Sequence, residues 1–74
     1  MIPDGMTNSE NFRAAVLFSR VAVQNMDSRY KSIALDFLNL LYLRHALNKK
    51  TLKGQPAFKV LYKEPRWKSI YRRL

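Results

Sequence analysis

Between Ile33 and Leu43 the chain reads IALDFLNLLYL, an apolar run broken only by Asp36 and Asn39. At 100° per residue, Tyr30, Ile33, Phe37, Leu40, Leu41 and Leu47 share one side of a helix, while Leu35, Leu38 and Tyr42 take the opposite side. The wet strip narrows to Ser32, Asp36, Asn39 and Lys50, and Leu43 interrupts it. A helix apolar around most of its circumference is buried from more than one direction. The pattern therefore predicts a long central helix from Ser28 to about Lys50, wrapped by the other segments or by a second copy of the chain.

The flanking segments carry shorter helical patterns. Thr7-Asn8-Ser9-Glu10 has the form of a capping box, and a first helix follows to about Met26. Phe12, Ala15, Val16, Ser19, Ala22, Val23 and Met26 form its apolar stripe, with Arg13, Arg20 and Gln24 on another side. Asp27-Ser28 supplies N-cap chemistry for the central helix, so the two helices form an antiparallel hairpin. Lys49 and Lys50 suit the negative end of the central helix dipole, and Lys53-Gly54 ends it. Gln55-Pro56 starts a short helix with Phe58, Leu61 and Tyr62 inward. Pro65 opens another, on which Trp67, Ile70, Tyr71 and Leu74 make the apolar stripe. No strand pattern competes. The expectation is an all-α fold: a helical hairpin plus one or two short C-terminal helices, with a dimeric four-helix bundle left open. Residues 1–8 read as a tail and 9–74 as a single helical domain. One echo stands out: Asp27-Ser28-Arg29-Tyr30-Lys31-Ser32-Ile33 and Glu64-Pro65-Arg66-Trp67-Lys68-Ser69-Ile70 agree in character position by position.

Charge changes the picture. Residues 1–43 hold four cations and four carboxylates, whereas 44–74 hold ten cations against Glu64 alone, so the whole net charge of +9 sits in the basic C-terminal third, 44–74. Such asymmetry points to a polyanionic partner. Arg44, Lys49, Lys50, Lys53, Lys59, Lys63, Arg66, Lys68, Arg72 and Arg73 are the candidate nucleic-acid-binding residues. Tyr62, Trp67 and Tyr71 are interleaved with them; they stack on bases if exposed, or anchor short helices if buried. The reading is RNA in preference to DNA, double-stranded RNA included, bound through phosphates with little sequence specificity. A helical adaptor that docks an acidic or phosphorylated protein is the competing reading. A small subunit of a larger ribonucleoprotein or organellar complex is a third.

Other chemistry finds little support. Carboxylates are few and dispersed, His45 is the sole histidine and has no acid at i±3 or i±4, and two glycines cannot build a phosphate loop. The expectation is no enzyme, no metal and no cofactor. The absence of cysteine fits a reducing compartment, cytoplasm or nucleus. No run is long enough to span a membrane, and Met1–Thr7 lacks the basic and apolar regions of a secretory signal.

Three short likenesses accompany this reading. Phe18-Ser19 followed by Asp27-Ser28-Arg29-Tyr30-Lys31-Ser32-Ile33 resembles the second half of an FF domain. That helical interaction module occurs in transcription and splicing factors, and the likeness implies docking to a phosphorylated tail. The hairpin followed by Gln55-Pro56-Ala57-Phe58 resembles the layout of nodavirus RNA-silencing suppressors, which implies a dimer bound to double-stranded RNA. Leu61-Tyr62-Lys63 and Ile70-Tyr71-Arg72 are similar to the tripeptide of mitochondrial LYR proteins. No family is assigned on these stretches.

Overall fold

A computed structural model describes residues 7–74 of the chain. The tail expected over Met1–Met6 lies outside the described residues. Helix α1 (Asn8–Asn25) starts where the pattern placed it: Thr7 Oγ1 accepts from the Glu10 amide, and Glu10 Oε1 accepts from the Thr7 amide, both at 3.1 Å. Asn8 thus belongs to the first turn and not to a tail. Met26, with φ 50 in the left-handed region, closes α1. Asp27 then caps α2 (Ser28–Leu43) by accepting from the Arg29 amide at 2.9 Å. No strand occurs among the described residues.

The line of α1 that is buried runs through Asn11, Ala15, Ser19 and Ala22. It is turned toward Asn11 and Phe18 relative to the expected stripe. Val23 and Met26, assigned to that stripe, are exposed. The reason is steric: small residues let the two helices approach closely, and the large side chains Phe12, Val16 and Phe18 flank the contact half-buried. Phe18 stacks near-parallel on Tyr30 and on Phe37, with ring centroids 6.2 and 5.8 Å away, as a hairpin turning at Met26-Asp27 requires. Ser19 satisfies its hydroxyl by donating to the Ala15 carbonyl at 2.7 Å.

The long central helix does not reach Lys50. It stops at Leu43, and His45 takes a left-handed φ of 58. The Ala46 amide donates to the Leu41 carbonyl and the His45 amide to the Tyr42 carbonyl, the paired bonds of a Schellman ending. A separate helix α3 (Lys49–Gly54) follows, capped by Asn48, whose Oδ1 accepts from the Thr51 amide at 2.7 Å. Lys49 and Lys50 therefore sit in the first turn of α3, not at the dipole end of α2. Breaking the helix sends Leu47 and Leu52 inward, where both are buried.

Pro56 starts the next segment as expected, but as a 3₁₀ helix (Pro56–Leu61) with Phe58 and Leu61 fully buried. Pro65 opens α4 (Pro65–Arg73), which buries Trp67 and Ile70. The short elements fold back onto the hairpin. Helix α1 packs on α2 and on the 3₁₀ helix, while α2 also contacts α4. Ala34, Leu35, Phe37, Leu38 and Leu41 of α2 are all buried within one chain. Most of the apolar surface of α2 is thus covered within one chain, although Leu43 stays 63% exposed, and Ser32, Asp36 and Asn39 form the wet strip. Both segments of the sequence echo open a helix, but only Asp27 caps with its side chain; Glu64 makes no such bond.

Candidate nucleic-acid interface

The geometry begins with spacing. Within α3, Lys49 and Lys53 lie four residues apart on one face; within α4, Lys68 and Arg72 do the same. The backward fold brings the two pairs to the lining of one groove, about 540 Å³ in volume. Its wall is aromatic, formed by Tyr62, Trp67 and Tyr71. No carboxylate lines it.

The aromatic wall is a connected stack. Trp67, 6% exposed, has its ring centroid 5.0 Å from Tyr62, 5.7 Å from Phe58 and 6.5 Å from Tyr71. The Trp67 and Tyr71 planes lie within 14° of parallel. Tyr71 is half-buried, and it holds two cations: the Nζ atoms of Lys49 and Lys53 lie 5.3 and 5.4 Å from its ring centroid. Two lysines over an exposed ring are worth about 1–2 kcal/mol together, comparable to the roughly 1–3 kcal/mol of a base stacked on an aromatic. The lysine arms are exchangeable partners for this ring.

Of the ten cations singled out from the sequence, the groove gathers Lys49, Lys53, Lys68 and Arg72. Arg73 joins Lys68 and Arg72 around a smaller depression with Ser69, extending the basic surface along α4. Arg66 points elsewhere. Its Nη2 donates to Asp36 Oδ1 at 2.6 Å and its Nη1 to the Ser32 carbonyl and hydroxyl at 3.4 Å, so it ties α4 to α2. Arg44 closes α2, with Nη1 3.5 Å from Asn8 Oδ1 at the start of α1. Lys50, Lys59 and Lys63 are exposed and line none of these surfaces. Trp67 is a core residue, while Tyr71 and Tyr62 retain exposed surface.

One surface escaped the sequence reading. Arg13 and Arg20 of α1, a turn-matched pair noted only as off the apolar stripe, border a second groove of about 610 Å³ with Leu17, Thr51 and Gln55. Its signal was their common face, masked by the neutral charge of the N-terminal half.

Glu10, Asp27 and Asp36 have structural partners. The Thr7 backbone amide, followed by the Thr7 hydroxyl, holds the Glu10 carboxyl below its usual range. The Arg29 side chain and then its amide lower that of Asp27, and the Asp27 carboxylate in turn raises Arg29. No cluster of His, Cys, Asp or Glu suited to a metal occurs among the described residues, and none of their helices is long and apolar enough to cross a membrane. No protein-family model matches the chain, and no curated protein or solved structure does.

Proposed function

We propose that this chain is a small, non-enzymatic helical module that binds nucleic acid, RNA in preference to DNA, through phosphate contacts from α3 and α4. The observation that carries this reading is the groove: four cations from two separate helices converge on an aromatic wall from which carboxylates are absent. Phosphates are met by Lys49, Lys53, Lys68 and Arg72, with Arg73 extending the track. An arrangement of flexible ammonium groups and one guanidinium reads charge and not base edges, so sequence specificity is low. RNA is favoured because its loops and unpaired segments present bases that can meet aromatic side chains.

The groove is built from one chain, so the reading needs no second copy to complete the site. The test is fluorescence anisotropy against RNA, DNA and heparin over a salt series, with sizing chromatography alongside. RNA binding stronger than heparin binding is expected, with log Kd rising by roughly 0.7–0.9 per decade of salt for each phosphate met. Alanine at Lys49, Lys53, Lys68 or Arg72 lowers that slope by about one phosphate each. Heparin competing as well as any RNA would reassign the charge to an acidic protein partner.

A further inference from the structure

We infer that the groove takes single-stranded RNA, with one base stacked on Tyr71 in place of the lysine arms. The inference rests on the RNA-binding reading above and narrows it. A duplex shields its bases and offers only a phosphate-lined surface, so duplex binding makes no use of an aromatic wall. In this groove the wall and the cations occupy one space: Lys49 and Lys53 hold their Nζ atoms near the Tyr71 ring, with Lys68 and Arg72 also lining the cavity. The two lysines are exposed and joined to α3 by long flexible stems, so they can leave the ring without disturbing the core. Once displaced, they stand beside the inserted base, where the phosphates flanking it run. Tyr71 is itself braced, because its ring is near-parallel to that of buried Trp67. The result is an aromatic platform with four cations in the same groove.

Trp67, the sole tryptophan, supplies the readout, since it lies beside the platform. The wild-type protein is titrated with unstructured oligouridylate and oligoadenylate of about ten nucleotides, within the span of known single-strand sites, and with duplex RNA of equal phosphate number. The expected result is quenching of Trp67 emission by the single strands, and affinity for them roughly fivefold or more above that for the duplex. Tyr71→Ala lowers single-strand affinity by a similar factor and leaves duplex affinity unchanged, whereas Tyr71→Phe retains it. Circular dichroism checks that each variant folds, and the wild-type comparison of strand with duplex depends on no variant. Duplex bound as tightly as single strands, with Tyr71→Ala silent, overturns this inference and leaves the phosphate-binding reading standing. Failure of the wild-type protein to bind any RNA at low salt overturns both.

Discussion

Arg66 on α4 donates through Nη2 to Asp36 Oδ1 on α2 at 2.6 Å, and its Nη1 reaches the Ser32 carbonyl and hydroxyl. The counterpart of Arg66 in the repeated helix start, Arg29, behaves differently: it folds back on its own cap, Asp27, at 2.8 Å. The same residue type at the same place in a motif thus serves a local cap in one case and a tertiary tie in the other. The Arg66 side chain is 45% exposed and that of Asp36 is 53% exposed. At that exposure a pair contributes about 0.2–1 kcal/mol. A double-mutant cycle on Arg66→Ala and Asp36→Ala, read by urea unfolding, should give a coupling in that range. Arg66→Ala should also weaken RNA binding less than Lys68→Ala, two residues away. An equal or greater loss at Arg66 would place it in the interface.

Asn11 is fully buried, and neither Oδ1 nor Nδ2 has a hydrogen-bond partner. An orphaned polar group in that position costs about 1–3 kcal/mol. Asn11→Leu, which preserves branching at Cγ and removes both polar atoms, should raise stability by about 1 kcal/mol after allowance for its larger volume. The measurement is a urea midpoint that moves upward at unchanged m-value. A fall would mean that a buried water serves the amide in solution.

Two side chains pay a conformational cost at helix ends. Met26 and His45 hold φ values of 50 and 58, and both are exposed, so neither contributes much packing in return. Glycine occupies the left-handed region without the Cβ penalty of about 1 kcal/mol. Met26→Gly and His45→Gly should each stabilise by up to about 1 kcal/mol and add nearly independently, since they cap different helices. Valine at either position should do the opposite, because branching at Cβ aggravates the clash. Thermal unfolding of the four variants and the double glycine variant decides the matter.

These positions also explain what could be read from the sequence and what could not. The Thr7–Glu10 box, the Asp27 cap and the proline starts at Pro56 and Pro65 were legible because each is a local event within three or four residues. The break after Leu43 was not, because no glycine or proline marks it and the apolar periodicity runs on through Leu47. The break is made by His45 in a left-handed conformation and is rewarded by tertiary burial of Leu47 and Leu52. Asn48-Lys49-Lys50-Thr51 did carry a cap signal that the longer periodicity overrode. The same limit applies to the site. Which residues are cationic was plain, but the convergence of Lys49 and Lys53 with Lys68 and Arg72 depends on how α3 and α4 fold back. So does the diversion of Arg66 to Asp36.

Acid should unfold this protein through its caps, and salt can separate that effect from bulk repulsion. The bond from the Thr7 amide holds the Glu10 carboxyl below its ordinary 4.5, and the Arg29 side chain holds Asp27 below its ordinary 3.8. A carboxyl whose pKa is lower folded than unfolded stabilises the fold fully above the unfolded value. That stabilisation is lost as pH falls through the folded value. The melting temperature should therefore be flat from about pH 8 to about pH 5 and fall progressively below the ordinary carboxylate values. Protonation of all five carboxylates also leaves 14 lysines and arginines unopposed, which adds self-repulsion. Salt at about 0.5 M screens that long-range repulsion and weakens the partly exposed Asp27–Arg29 pair, but scarcely touches the amide hydrogen bonds inside the caps. The fall that survives in high salt belongs to the caps. Asp27→Asn keeps a competent N-cap and cannot titrate, so its curve should start lower near neutral pH, where the Arg29 pair is missing, and converge with wild type in acid. If the two curves stay parallel down to the lowest pH, the Asp27 cap is not what acid removes.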